Sequence, residues 1–133
     1  MRWKSIIIYN KNQSPIGGGD FRKKYEPVFY GYFQHNFYGR EYCEDDVWDI
    51  QRTLKNDLHP TMKPVALVTR AINYSSMEGN IVLDLFGGSG TTMIAAEQTG
   101  RRCLMMELDP HYCDVIIKRW ETFTGQTAVL AED

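Results

Sequence analysis

The nine residues Asp84-Leu85-Phe86-Gly87-Gly88-Ser89-Gly90-Thr91-Thr92 constrain this chain more than any other stretch. They follow the apolar run Ile81-Val82-Leu83 and lead into a helix-like run from Met93 to Thr99. The order is strand, glycine turn, helix. The glycines let the backbone turn tightly and let a ligand come close. The start of the helix then offers unpaired N–H groups to a polar or anionic ligand.

An acid stands on each side of this turn. Asp84 closes the first strand, where it can receive a cationic amine. Glu107 closes the next apolar run, Cys103-Leu104-Met105-Met106, 23 residues after Asp84. At about that spacing a strand-helix-strand unit presents an acid to ribose hydroxyls. The pattern suits a ligand with an amino-acid end and a nucleoside end, and S-adenosylmethionine is one. Other readings of the turn fit less well. A P-loop needs Gly-Lys followed by Ser or Thr, and no lysine lies between Lys63 and Lys118. The dinucleotide fingerprint wants Gly or Ala three residues after Gly90, where Met93 stands. A flexible linker is not expected between a strand pattern and a helix pattern.

With 133 residues the chain has room for one domain. A hydrophobic content of 43% is that of a folded protein. The formal net charge of −2 provides no global basic field for nucleic acid, so DNA contact has to be local or made by another chain. Cys43, Cys103 and Cys113 have no paired spacing, and residues 1–5 lack the apolar core of a secretion signal. Both features fit a reducing cytoplasm. No Cys/His cluster points to a metal, and no apolar run approaches the roughly 20 residues of a membrane span.

Along the chain, Ile6 to Tyr9 and Tyr25 to Tyr32 are expected to be strands that pair antiparallel. Residues 33–58 are read mainly as loop, with a short extended piece at Val47-Trp48-Asp49-Ile50. Pro64 is suited to open a helix, and Val65, Val68, Ala71 and Ile72 continue it at helical spacing. Asp109-Pro110 is a helix cap followed by a first-turn proline, and Gly125 is the stop. Between them Tyr112, Val115, Ile116, Trp120 and Phe123 form a stripe expected to be core. This alternation of strand and helix indicates an α/β protein with a parallel portion.

Three runs carry a resemblance: His59-Pro60-Thr61-Met62-Lys63-Pro64, Asp84 to Thr92, and Glu107-Leu108-Asp109-Pro110. They look like the tenth, first and second motifs of the DNA amino-methyltransferases of the permuted β type. In that group the cofactor half of the domain follows the catalytic half. Phe21 to Tyr32, around Tyr25-Glu26-Pro27, looks like the eighth motif, which helps wall the pocket for a flipped base. The resemblance covers nearly the whole chain and implies a Rossmann-like S-adenosylmethionine-dependent fold. It also implies roles. Asp84, Phe86, Gly87 and Gly88 hold the methionine part of the cofactor. Ser89, Gly90, Thr91 and Thr92 line the turn and helix start. Glu107 binds the ribose hydroxyls, and Leu108 or Asp109 flanks the adenine. Thr61 and Lys63 lie near the methionine carboxylate. Plainer roles stand beside these: His59 as a loop cap, Lys63 as a solvated lysine, Arg22-Lys23-Lys24 as a solvated loop instead of a phosphate contact.

The family methylates an exocyclic amine of adenine or cytosine by direct attack on the cofactor's methyl group. It grips the amine with an Asp/Asn/Ser-Pro-Pro-aromatic motif. No Pro-Pro pair occurs in this sequence, so no catalytic residue is assigned. The expectation is a single partial domain over 1–133: a sheet-edge hairpin at 1–32, the loop region at 33–58, and a cofactor-binding half at 59–133. Its central catalytic strands would be missing, leaving a gap between two strand groups. Such a fragment would reach DNA through a complete enzyme and would self-associate or pair with a complementing N-terminal chain. The alternatives are a non-catalytic cofactor-binding partner or an inactive remnant of phage origin.

Overall fold

Ile6-Ile7-Ile8 lies within the longest strand, as β-branched residues favour. The fold is that of a computed structural model, which describes residues 2–12, 20–39, 44–51 and 62–131. In chain order the elements are β1 (Arg2–Lys11), β2 (Tyr25–Tyr32), β3 (Val47–Ile50), α1 (Val65–Ser75), β4 (Ile81–Asp84), α2 (Thr91–Gln98), β5 (Arg102–Met105) and α3 (Pro110–Thr124).

β1 and β2 form the expected antiparallel pair, with Ile7 opposite Val28 and Ile6 opposite Phe29. The extended piece at Val47 to Ile50 is a true strand, paired parallel to β1 with Ile8 beside Val47 and Tyr9 beside Trp48. The sheet order is therefore β2-β1-β3. The extended piece expected within residues 33–58 is therefore a strand, and it lies beside β1 on the side away from β2. Pairing with β1 fixes β3 because Trp48 packs beside Tyr9 in one buried cluster.

β4 and β5 form a second, parallel sheet, Ile81 beside Arg102 through Asp84 beside Met105. α2 is the crossover between them, as parallel pairing requires. Their side chains alternate with period two. Val82, Asp84, Cys103 and Met105 are half-buried, whereas Ile81, Leu83 and Leu104 are 55%, 62% and 51% exposed. Among the described residues the two sheets share no strand pair, so the two strand groups stay apart.

Helix α1 joins them. Its buried Leu67 packs with Tyr9 of β1 and Trp48 of β3, and its buried Ile72 packs with Ala95 and Ala96 of α2. Val65 and Val68 add to the second cluster, beside Val82 and Cys103. Full burial of such side chains contributes about 1.5–3 kcal/mol each. Truncating Leu67 would weaken the hold on the three-stranded sheet by about 2–5 kcal/mol.

Helix α3 has the ends the sequence announces. Asp109 caps it, accepting from the His111 N–H at 2.9 Å, and Gly125 closes it at φ +72°. Its stripe is only partly core. Ile116 is buried, Tyr112, Val115 and Trp120 are half-buried, and Phe123 is 47% exposed. The Trp120 indole N–H donates to Glu97 of α2 at 3.0 Å, so its edge must face polar surroundings.

Candidate cofactor site

The glycine turn is built by continuation of the parallel ladder. Met106 N–H donates to the Asp84 carbonyl at 2.9 Å, and Gly87 N–H donates to the Met106 carbonyl at 2.8 Å. Past this point the chain reverses. Gly88 has φ +53° and Gly90 φ +77°, left-handed values that glycine adopts without a Cβ penalty. Gly90 caps α2, which is why the helix starts at Thr91, ahead of the apolar run at Met93. A Cβ on Gly87 would lie 2.7 Å from Met105 Sδ, and one on Gly90 3.1 Å from Ile116 Cγ1. The glycines thus let the turn sit directly on β5 and α3.

The two acids are anchored by backbone N–H groups. Asp84 Oδ1 accepts from Phe86 N–H at 3.0 Å. Glu107 Oε2 accepts from Gly88 N–H at 2.6 Å, while its Oε1 accepts from Leu108 N–H at 2.8 Å and Asp109 N–H at 3.0 Å. Phe86 and Leu108 are 88% and 97% exposed, one on each loop at this end of the sheet. The structure therefore brings Asp84, Phe86, Gly87, Gly88 and Glu107 together at the ends of β4 and β5. Asp109 serves there as the α3 cap.

Ser89 and Thr91 face inward. They are 5% and 7% exposed, and both meet the guanidinium of Arg119 from α3. Thr92 is half-buried in the first turn of α2. Thr91 Oγ1 also donates to the Lys63 carbonyl at 3.3 Å, tying the loop before α1 to the turn. Lys63 is thus close through its backbone. Its ammonium, however, pairs with Glu26 of β2. Glu26 holds a second lysine, Lys11, at 3.2 Å. Burial raises the Glu26 pKa, but the hydrogen bonds and charges of Lys63 and Lys11 outweigh it and hold the carboxyl below its ordinary value. Thr61, His59 and Cys43 lie outside the described residues.

Arg119, Glu26 and Lys11 are absent from the sequence-based site. Glu26 stands in the run that resembles the eighth motif, and Arg119 sits three residues after Ile116, on the same helical face as a stripe residue. A cavity of about 910 Å³ between β1, β2 and the end of α1 is lined by Tyr30, Tyr32, Phe37, Trp48 and Tyr74 among others. It contains no residue of the glycine turn, so volume alone does not locate the site. Among the described residues no group of His, Cys, Asp and Glu is placed to hold a metal ion, and no helix is long and apolar enough to cross a membrane.

A parallel strand-helix-strand unit with a glycine turn and an acid after the second strand is an arrangement suited to a ligand with a nucleoside part. Comparison with known proteins agrees. A family model described as DNA methylase matches residues 1–119, and the chain belongs to that family. It is 40% identical over 80 residues to the type II methyltransferase M2.DpnII of Streptococcus pneumoniae, covering 57% of this chain and 30% of that protein. It is 35% identical over 95 residues to the DNA adenine methyltransferase YhdJ of Escherichia coli strain K12, covering 68% of this chain and 32% of that protein. The chain thus spans about a third of these relatives' length. The fold matches the crystal structure of an M1.HpyAVI–SAM complex with a TM-score of 0.71 at 25% identity, over 88% of this chain and 61% of that one. The PvuII cytosine-N4-specific DNA methyltransferase shares the fold alone, with a TM-score of 0.67 at 19% identity over 86% of this chain and 50% of that one.

Proposed function

We propose that this chain is the cofactor-binding part of an S-adenosylmethionine-dependent DNA methyltransferase acting on the exocyclic amine of adenine or cytosine. The observation that carries the reading is Glu107, an acid fixed at the end of β5 by the amide of the glycine turn itself. The cofactor supplies an electrophilic methyl group. The chain's own residues bind and orient it. Asp84 and the Phe86–Gly88 backbone receive its methionine end, and Glu107 receives its ribose hydroxyls. A carboxylate offers about four acceptor positions, and at least three on Glu107 are already used. A ribose diol therefore has to displace a bond, and the Gly88 N–H is the one that comes from the glycine turn and not from the acid's own loop. Lys63 and Thr61 complete the methionine side, with Lys63 drawn from Glu26 towards the cofactor carboxylate. Positioning and exclusion of water are the means of catalysis.

DNA is the substrate of the complete enzyme. A complementing chain with the Pro-Pro-aromatic motif, or a second copy, is the partner we assign. The support is the open apolar face of β4 and β5, where Ile81, Leu83 and Leu104 are each at least half exposed. A reducing cytoplasm suits the free thiols of Cys103 and Cys113. The test is transfer of labelled methyl to mixed-sequence DNA, with and without an N-terminal methyltransferase segment bearing that motif. Transfer only in the mixture is expected. Turnover by this chain alone would show that another residue grips the amine. Cofactor binding with no rescue by the segment would favour a non-catalytic binding partner, and the absence of both would leave an inactive remnant.

A further inference from the structure

Arg119 lies on α3, one turn beyond the Ile116 that packs under Gly90. Its Nη1 donates to the Ser89 carbonyl at 2.9 Å and stands 3.4 Å from Ser89 Oγ, 3.3 Å from Thr91 Oγ1 and 3.3 Å from Met62 Sδ. One nitrogen therefore reaches the glycine turn, the first residue of α2 and the loop that enters α1. Thr91 extends the chain of contacts to the Lys63 carbonyl. Among the described residues no carboxylate pairs with Arg119. A half-buried cation satisfied by carbonyl and hydroxyl dipoles is costly to place, so the arrangement calls for a reason beyond surface solvation.

The reason lies in the Ser89–Gly90 peptide. Its carbonyl is held by Arg119, and its N–H, that of Gly90, donates to the Gly87 carbonyl at 2.9 Å. The planar unit is pinned at both ends. Glycines on either side of Ser89, at φ +53° and +77°, would otherwise let that peptide rotate at little steric cost. We propose that Arg119 is a positioning residue of the cofactor site: it fixes the glycine turn against the loop carrying Lys63, so that the two segments meant to hold the methionine end are set before the cofactor arrives. This deepens the cofactor-binding reading and rests on it. Arg119 does not itself touch the cofactor. It acts by preorganisation, which raises affinity by removing an ordering cost.

The test uses the full chain with Arg119→Ala, Arg119→Lys and Arg119→Gln, read by amide hydrogen exchange and by calorimetry with S-adenosylmethionine. In Arg119→Ala the Gly90 amide should exchange at least about tenfold faster while the amides of β1 and β2 keep their rates. Affinity should fall by about tenfold or more. Arg119→Lys should restore part of both, since an ammonium reaches the Ser89 carbonyl but does not span the other acceptors. Arg119→Gln keeps most of the stem and a neutral donor, and it carries the test if the alanine variant does not fold. Unchanged exchange and affinity would overturn the proposal, as would faster exchange spread evenly over the chain. If the wild type binds no cofactor, the functional reading fails, and the exchange at Gly90 still decides whether Arg119 sets the turn.

Discussion

The backbone N–H of Gly88 donates to the carboxylate of Glu107 at 2.6 Å, joining the glycine turn after β4 to the residue after β5. Each end of this bond is also fixed locally. Gly87 is hydrogen-bonded to Met106, and Glu107 is held by the amides of Leu108 and Asp109. The turn and the acid are thus one unit, and what disturbs one reaches the other.

Two glycines separate the costs of conformation and of space. At Gly79, with φ +80°, an added Cβ would meet nothing within 4 Å, whereas at Gly90, with φ +77°, it would meet Ile116 at 3.1 Å. Gly79→Ala should cost about 1–2 kcal/mol from backbone strain alone. Gly90→Ala should add about 1–3 kcal/mol for crowding. Urea unfolding of both variants measures the difference. Equal losses would mean that contact with α3 does not constrain the turn.

Cys103 should resist alkylation. Burial first, and then the charge of Asp84, push its thiol up to about 11 from its ordinary 9.0. At pH 8 its thiolate fraction is about a hundredfold below that of an ordinary cysteine. Native-state mass spectrometry with iodoacetamide should leave Cys103 unmodified until the protein unfolds. The raised pKa also has a stability consequence. The neutral thiol's contribution is complete below about pH 9 and is lost as pH rises towards 11, because the unfolded chain then binds fewer protons than the folded one.

Glu26 works in the opposite direction. Lys63 and Lys11 hold its carboxyl below the ordinary 4.5, so its contribution is present above about pH 4.5 and fades as pH falls through the lowered folded value. Thermal midpoints of wild type and Glu26→Gln should differ at pH 7, and the gap should narrow as pH falls below about 4.5. A gap that stays constant with pH would show that the two lysines do not act on Glu26 through its charge.

Much of the site was legible because its signals are local. The glycine turn, the acids at Asp84 and Glu107, and the ends of α3 each depend on residues adjacent in sequence. What was hidden depends on distant pairing. β3 is four residues in a polar, aromatic stretch, and only its register with β1, with Ile8 beside Val47, makes it a strand. Lys63 carries a motif position, yet its ammonium goes to Glu26 of β2, 37 residues earlier in the chain. Arg119 looks like one more cation on an amphipathic helix until α3 is laid against the turn. The start of α2 was displaced because Gly90, not the first apolar residue, is its cap.

Calorimetric titration of the chain with S-adenosylmethionine, repeated on Glu107→Ala, decides whether the acid after β5 holds the cofactor. Saturable binding by the wild type is expected. The variant should lose about 1.5–3 kcal/mol, the worth of a hydrogen bond to a charged group and at least about tenfold in affinity. Asp84→Ala should weaken binding on the methionine side to a similar degree. Equal affinity in the wild type and Glu107→Ala, or no binding by a folded wild-type chain, would contradict the assignment of this site.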